Sequence, residues 1–278
     1  MSRVISIDDA DDPRVAAYVS VRERDLIGHG RRFVAEGELV LRALLGRSRF
    51  PIESVFLLET RLHQLAGLLA DLPDDVPVYS AGRAVMDRVV GFPIHRGVLA
   101  IGQRVTDVPA RELLGNAGSH GLVVGLIGIS NHDNVGGVFR NAAAFGADAV
   151  VLDETSCDPL YRKAIRVSAG ASLVVPFARG GAAAHLLRSC AESGYEAIAL
   201  SPQGDEPLEG IAFAPRTALL FGAEGPGLPP DILSSTRSAR ISMAPGFDSL
   251  NVATASGIAL HAARGTRPNS QPAQSPWR

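Results

Sequence analysis

Three segments in the C-terminal half hold the polar residues and glycines best spaced for chemistry, and the first covers residues 129–146. Asn131 and Asp133 are good helix-capping residues, so this segment predicts the end of a strand followed by the start of a helix. Gly136 and Gly137 allow another backbone or a ligand to approach closely, and Arg140 lies on the first full turn beyond them. Its side chain should project near the carboxyl end of the strand, where open α/β sheets bind ligands. By itself the segment favours the ordinary alternative, a helix start with a solvated arginine.

The second segment, residues 219–229, predicts a strand that runs into a loop holding Gly222, Gly225, Gly227 and one acid, Glu224. Glycines after a parallel strand make room for a nucleotide-like ligand, and a tight turn without a ligand is the alternative. The spacing matches neither GxGxxG nor a Walker loop. The segment therefore indicates neither dinucleotide nor nucleoside triphosphate binding.

The third segment, residues 241–261, predicts a loop with Pro245 followed by a capped helix. Ser249 and Asn251 are suited to cap that helix, whose next positions are mostly alanine, serine and glycine. Small residues allow very close packing against another backbone. An ordinary capped C-terminal helix is the alternative reading of this segment.

The elements that would position these segments form an α/β pattern over residues 121–266. Strands are predicted at 122–129, 149–152, 173–175, 196–200, 217–221 and 239–242. Helices are predicted at 135–145, 160–169, 182–193 and 252–263. Apolar strands alternating with helices predict a parallel sheet covered on both faces.

The N-terminal part, residues 1–107, predicts a smaller α/β domain. Its strands are expected at 34–36, 52–58, 76–79 and 97–105, and its helices at 37–45, 61–69 and 82–90. Residues 108–120 are rich in Gly, Asn and Ser near their end and predict a linker. Residues 267–278, with their Pro, Gln, Asn and Ser, predict a disordered tail.

Together, in this order and spacing, the three segments resemble the signature motifs of the SpoU-type (TrmH-like) family of the SPOUT methyltransferase class. The resemblance covers about residues 119–264. The N-terminal half is similar, more loosely, to the ribosomal-protein-like RNA-binding domain common in these enzymes. Ser242 departs from the family, which often has proline there, and so does Pro245. The matching residues are Asn134-Val-Gly, Arg140 and Phe145-Gly146, then Phe221-Gly-Ala-Glu-Gly and Gly227-Leu, then Ile241, Met243, Gly246 and Ser249-Leu-Asn-Val.

The resemblance implies a parallel α/β domain whose C-terminal segment threads through a loop to form a deep trefoil knot, a rare exception to the usual connection rules. It also implies an enzyme that uses S-adenosyl-L-methionine to methylate a ribose 2′-hydroxyl of RNA. No metal is needed, because the sulfonium already activates the methyl group. The cofactor would be held mainly by backbone groups and apolar side chains at Leu200, Gly222, Ile241 and Leu250.

The family gives a central catalytic role to the arginine matched by Arg140. Two roles remain open, because an arginine base is chemically awkward. Arg140 could accept the hydroxyl proton, or it could stay charged, clamp the adjacent phosphate and stabilise the developing oxyanion. Four further residues would position the ribose, Arg140 and the loops: Asn134, Glu224, Ser249 and Asn251.

The resemblance further implies a homodimer formed through the catalytic domain, with RNA bound by the N-terminal domain. The best basic cluster there consists of Arg22, Arg24, Arg31 and Arg32, for which a solvated charged face is the alternative. The extra N-terminal domain favours ribosomal RNA over transfer RNA, and the modification could serve housekeeping or antibiotic resistance. A non-catalytic ribosome-assembly protein on the same fold is disfavoured by the retained polar residues, and a nucleotide-binding dehydrogenase by the missing glycine fingerprint.

Composition limits the remaining classes of protein. The formal net charge of −2 argues against a protein that coats nucleic acid non-specifically. Cys157 and Cys190 stand apart from each other and from any histidine cluster, so a disulfide framework or a metal site is not expected. The longest apolar runs are too short to span a bilayer, and the first twelve residues lack a signal pattern. The cytoplasm is the expected location.

Overall fold

The computed structural model describes residues 4–19, 31–115, 119–246 and 249–265. The chain divides into two compact units, one made of Met1–Val105 with Leu160–Val174 and the other of Thr106–Pro159 with Val175–Arg278. The tail predicted at 267–278 lies outside the described residues. Among the described residues, no helix has the length and apolar character needed to cross a membrane.

The first unit contains a mixed sheet with the strand order β1-β4-β3-β5-β2. Strands β1, β4 and β3 are parallel, whereas β5 runs antiparallel to both β3 and β2. The strand predicted at 52–58 is confirmed with the same bounds, and β1 was not predicted. The strands are β1 (Val4–Ser6), β2 (Arg32–Glu36), β3 (Ile52–Leu58), β4 (Val78–Ala81) and β5 (Val98–Gln103).

The second unit contains the predicted parallel sheet, with the order β10-β12-β9-β11-β6-β7-β8 among its described strands. All of these neighbours pair in parallel. The trefoil knot implied by the family resemblance stays a prediction. The strands are β6 (Gly121–Leu126), β7 (Ala149–Leu152), β8 (Phe177–Arg179), β9 (Glu196–Leu200), β10 (Glu206–Pro207), β11 (Arg216–Phe221) and β12 (Arg237–Arg240).

Helices cover both sheets, and two short ones that follow β7 in the chain belong to the first unit. They are α1 (Glu38–Gly46), α2 (Leu62–Ala70), α3 (Arg83–Val90), α4 (Ala110–Gly115), α5 (His132–Phe145), α6 (Arg162–Val167), α7 (Ala171–Val174), α8 (Ala183–Glu192), α9 (Pro230–Ser234) and α10 (Val252–Arg264). Helices α6 and α7 fall in Leu160–Val174, so the second unit is interrupted where the predicted catalytic domain is continuous.

The strand predicted at 173–175 is wrong, because most of this apolar run lies in α7. The backbone N–H of Leu173 donates to the carbonyl of Gly170, and the hydroxyl of Ser168 bonds to that of Ser172, which winds the chain into a turn. The strand forms only after Pro176, at β8. Short apolar runs do not distinguish strands from buried helical turns.

The two faces of the parallel sheet are covered by different helices. Leu114 of α4, Leu186 of α8 and Ile232 of α9 pack in one buried cluster with alternate strand residues. Helices α5 and α10 pack against each other on the sheet. In α5, Phe139 meets Phe177 of β8 edge-on, with ring centroids 5.8 Å apart. This pairing of α5 with α10 joins the first and third polar segments.

Candidate active site

One polar side chain from each of the three segments meets at a single point. Asn134 lies in the first turn of α5, Glu224 lies in the loop after β11, and Asn251 is the N-cap of α10. The Nδ2 of Asn134 donates to Oε1 of Glu224 at 2.6 Å. The Nδ2 of Asn251 donates to Oδ1 of Asn134 at 2.8 Å and to the same Glu224 oxygen at 3.3 Å. We call this set of three the amide–carboxylate triad.

The direction of every hydrogen bond in the triad follows from its two ends. The Oδ1 of Asn251 accepts from the backbone N–H groups of Ala253 and Thr254 at 2.9 and 3.4 Å, because it caps α10. Its Nδ2 must then face the triad. At the other end, the Glu224 carboxylate can only accept. Asn134, which is buried at 3% exposure, therefore accepts a hydrogen bond at Oδ1 and donates one from Nδ2.

The loop that leads from β6 into α5 is held by a second network that the sequence analysis missed. The buried carboxylate of Asp153 accepts from the backbone N–H of Gly128 at 3.1 Å and from the hydroxyl of Ser156 at 2.6 Å. The Ser156 oxygen in turn accepts from the backbone N–H of Ile129 at 3.0 Å. Buried carboxylates need such partners. Asp153 thus positions the backbone from which Asn134 is presented.

A pocket lies beside the triad. All four predicted cofactor residues, Leu200, Gly222, Ile241 and Leu250, line it. Glu224 and Ser249 also reach it, whereas no described residue of α5 does. The wall is mostly apolar, with backbone groups of the glycine loop at its rim, which is the usual composition of a small-molecule site. Its other lining residues are Ser201, Pro202, Phe221, Ala223, Gly225, Gly227, Ala239, Met243, Val252 and Ala255.

The glycine loop after β11 folds back on itself at Gly222. A Cβ there would lie 2.2 Å from the carbonyl carbon of Gly227, so only glycine allows this approach. Gly225 and Gly227 adopt φ of +86° and +71°, in the left-handed region that favours glycine. The N–H of Gly227 closes the loop by donating to the carbonyl of Ala223 at 3.0 Å. The sequence's glycine pattern is thus explained by the shape of one loop.

Arg140 is not joined to the triad within one chain. It lies on α5, exposed to solvent, and makes no hydrogen bond or ion pair with any described residue. Six residues separate it from Asn134, which puts the two side chains about 120° apart around the helix. Ser249 is also exposed and lines the pocket without a hydrogen bond to another described side chain.

Two of the four predicted RNA-binding arginines lie within the described residues. Arg22 and Arg24 lie outside the described residues. Arg31 has a φ of +49°, and its carbonyl accepts from the N–H of Arg104. Arg32 opens β2 and pairs with Glu53 at 2.7 Å, so part of its charge is already compensated. The role of this cluster stays a prediction.

The possible metal ligands and the cysteines are the remaining residue types in the described chain that could do chemistry. Its His, Cys, Asp and Glu residues include no group of three that could hold a metal ion. Both cysteines are free thiols. Burial raises the pKa of Cys157 to about 11 and that of Cys190 to about 12, so neither thiol is activated as a nucleophile.

Comparison with known proteins gives a consistent set of relatives. Residues 121–261 match the model of the SpoU rRNA Methylase family. An uncharacterized tRNA/rRNA methyltransferase of Mycobacterium tuberculosis is 40% identical over 263 residues, which cover 91% of this chain and 89% of that protein.

Two solved structures extend the comparison. An AdoMet-bound rRNA methyltransferase from Sinorhizobium meliloti is 26% identical with a TM-score of 0.78, covering 96% of this chain and 99% of that one. A structure described as giving insights into the 2-OH methylation of C/U34 on tRNA is 29% identical with a TM-score of 0.50. It covers 54% of this chain and 97% of its own.

Proposed function

The chain belongs to the SpoU rRNA methylase family, whose cofactor is S-adenosyl-L-methionine, and from this premise we propose that it methylates a ribose 2′-hydroxyl of ribosomal RNA. The observation that carries the proposal is the amide–carboxylate triad, which joins all three polar segments beside an apolar pocket. Methylation of a 2-hydroxyl is described for the tRNA-modifying structure that is 29% identical to this chain. That likeness supports the same acceptor group here.

The choice of ribosomal RNA rests on how much of the chain each neighbour covers. The rRNA methyltransferase of Sinorhizobium meliloti spans 96% of this chain and therefore includes a counterpart of the first unit. The tRNA-modifying structure spans only 54% of it. A substrate-binding unit shared with an rRNA enzyme supports ribosomal RNA as the target. Transfer RNA is the second candidate, since the relatives of this family carry both substrates in their names.

The pocket fits the methyl donor on its own geometry. Leu200, Ile241 and Leu250 supply an apolar wall for a heterocycle, and the glycine loop, which folds back at Gly222, lines the pocket with backbone atoms that polar ligand atoms can reach. When bound, the donor supplies a methyl group already activated by its sulfonium. Glu224 and Ser249 would orient the acceptor ribose at the pocket rim, where both side chains are exposed.

Arg140 acts, in this proposal, as a charged clamp. It is exposed to water and makes no hydrogen bond or ion pair with a described residue. A guanidinium keeps its proton in proteins and binds phosphate through two parallel hydrogen bonds. Arg140 would therefore grip the phosphate beside the target nucleotide and stabilise the oxyanion that develops on the 2′-oxygen. The hydroxyl proton would pass to solvent at the open pocket rim.

We further propose a homodimer in which Arg140 of one subunit completes the pocket of the other. The separation of Arg140 from the triad within one chain supports this arrangement. So does an uncovered apolar residue on α10, Ile258, which is 40% exposed. Sedimentation that finds an active monomer would contradict the dimer.

Mixing two inactive variants tests the shared site. Arg140→Ala keeps the pocket, and Glu224→Ala keeps the arginine. Random pairing makes half of the dimers mixed, each with one intact site, so about one quarter of the parental activity should return. Sites built within single subunits would give no recovery.

The reaction itself is tested with the full chain, methyl-labelled S-adenosyl-L-methionine and separate pools of ribosomal and transfer RNA. We expect label in ribosomal RNA, recovered after digestion as a 2′-O-methylnucleoside, and a loss of at least about 100-fold with Arg140→Lys, which cannot form the paired hydrogen bonds. Label on a base would refute the acceptor, and label only in transfer RNA would refute the substrate. Near-normal transfer by Arg140→Lys would refute the clamp.

A further inference from the structure

A second asparagine on α5 joins the two helices that carry the candidate catalytic residues. The Nδ2 of Asn141 donates to the backbone carbonyl of Ala253 at 2.6 Å and to the hydroxyl of Ser256 at 3.0 Å, both on α10. The amide orientation is forced, because the Ala253 carbonyl can only accept. Both N–H groups of the Asn141 side chain therefore donate to the first turns of α10.

The contact between the helices is shaped around this side chain. A Cβ on Gly137 would lie 2.6 Å from the Cβ of Ala253, so the helix backbones approach closely one turn before Asn141. A Cβ on Gly257 would lie 3.3 Å from the Asn141 amide nitrogen, so that glycine leaves room for the amide. Close helix contact at small residues leaves little freedom for one helix to slide or rotate on the other.

The same face of α5 carries the triad at its other end. Asn134 and Asn141 are seven residues apart, which places them within about 20° of each other around the helix. Asn134 bonds to the N-cap of α10, and Asn141 bonds to the first turns of that helix. Two amides two turns apart therefore fix both the tilt and the rotation of α5. Arg140 is adjacent to Asn141, so the direction in which its side chain projects depends on the rotation of α5.

We propose that Asn141 is a positioning residue for methyl transfer: it locks the rotation of α5 against α10 and thereby sets the direction in which Arg140 projects. The inference rests on the proposed function. Asn141 can be tested separately from the pocket, because no described residue of α5 lines the pocket, and the pocket residues of α10, Val252 and Ala255, lie next to the N-cap that Asn251 holds without Asn141. Loss of the Asn141 bonds should therefore disturb Arg140 while the pocket keeps its affinity for S-adenosyl-L-methionine.

The test uses Asn141→Leu, which has nearly the same shape without the donors, and Asn141→Asp, which turns an acceptor towards the Ala253 carbonyl. We expect kcat for RNA methylation to fall roughly 10- to 100-fold in both, as for a modest misplacement of a catalytic group. The dissociation constant for S-adenosyl-L-methionine, measured by calorimetry, should change less than about threefold. Ser256→Ala is the matched control: it keeps the stronger bond to Ala253 and should retain most of the activity.

A second pair of variants tests the helix contact without touching the amide. Gly137→Ala adds a methyl group that collides with Ala253, so it should lower kcat. Adding Ala253→Gly removes the opposing methyl group and should restore at least half of the lost activity. A general loss of folding would instead lower donor affinity in every variant, and the double change would not rescue it.

The outcomes separate this inference from the proposed function. If the parental enzyme transfers no methyl group to RNA, the proposed function and the inference fall together. If the parent is active and Asn141→Leu is equally active, only the inference is overturned. A fall in kcat that is matched by an equal loss of donor affinity also overturns it, since Asn141 would then act through the pocket.

Discussion

Asn251 has two roles that a pair of substitutions can separate. Its Oδ1 caps α10 by accepting from the N–H groups of Ala253 and Thr254. Its Nδ2 belongs to the triad and donates to Asn134 and Glu224. Asn251→Ala removes both roles. Asn251→Asp keeps the cap, because aspartate caps helices as well as asparagine does, but it removes the donor.

The cost of Asn251→Ala can be worked from these bonds. Loss of an N-cap costs about 1 kcal/mol of stability. The Oδ1 of Asn134 also loses its donor, and at 3% exposure this side chain has little access to water as a substitute. An unpaired buried acceptor costs about 1–3 kcal/mol. The free energy of unfolding should therefore fall by about 2–4 kcal/mol.

Asn251→Asp should behave differently at the helix end. The cap remains, and a negative charge at a helix N-terminus is favourable. The new carboxylate faces Glu224, whose oxygen lies 3.3 Å from the present Nδ2. At that distance the repulsion is about 1 kcal/mol in the dielectric of water, which applies because both residues are exposed. The triad is broken as thoroughly as in Asn251→Ala, while the first turn of α10 stays capped.

Amide hydrogen exchange and kinetics together read out the two roles. Exchange at Ala253 and Thr254 should accelerate about fivefold in Asn251→Ala, the equivalent of 1 kcal/mol, and should stay near the parental rate in Asn251→Asp. Methyl transfer should fall at least about 100-fold in both variants. Near-parental turnover by Asn251→Asp would refute the triad as a working part of the site. Unchanged exchange in Asn251→Ala would refute the cap.

Three further changes test the loop, the backbone and the thiols. Gly222→Ala forces a methyl group onto the backbone at Gly227, so calorimetry should show donor affinity at least about tenfold weaker and denaturation a stability loss of about 1–3 kcal/mol. Ala169→Gly relieves a left-handed residue with φ of +54°, so thermal unfolding should show a gain of about 0.5–1 kcal/mol with unchanged turnover. Burial raises the pKa of Cys157 to about 11 and that of Cys190 to about 12, so a thiol reagent at pH 8 should label both much more slowly in the folded than in the unfolded protein, and the buried Cys190 more slowly than the partly buried Cys157.

The parts of the fold that the sequence predicted are those where local pattern and tertiary environment agree. Strands β7 and β9 have the predicted bounds. Strand β7 is a continuous apolar run that is buried throughout, as is usual for a strand covered on both faces, and β9 is apolar after Glu196. Strand β1 was missed, since Val4–Ser6 is short and becomes a strand only by pairing with β4, more than seventy residues away. The run at 173–175 was assigned to the wrong element because local turn bonds override its apolar character.

The candidate site divides in a similar way. Asn134, Glu224 and Asn251 were predicted from their family resemblance, and the structure brings their side chains together. Asn141 was missed because its partners lie more than a hundred positions along the chain. The sequence did indicate that Asn141 lies on the same helix face as Asn134, since the two residues are seven positions apart. Asp153 was missed because its bonds to Thr155 and Ser156 have the pattern of an ordinary turn, whereas its bond to the N–H of Gly128 crosses to the loop after another strand.

The residue types in the triad follow from what a relay between a helix cap and a carboxylate requires. A group placed between two fixed ends must donate in one direction and accept in the other, and a side-chain amide does both without carrying charge, with the donor and the acceptor on separate atoms. Aspartate at position 134 would set an acceptor against Glu224, and leucine would leave that carboxylate without its shortest bond. Asn251 forms its part of the relay from the N-cap of α10, so the geometry of the triad depends on where α10 packs on α5. Asn134 thereby couples the loop after β11 to the N-terminus of α10.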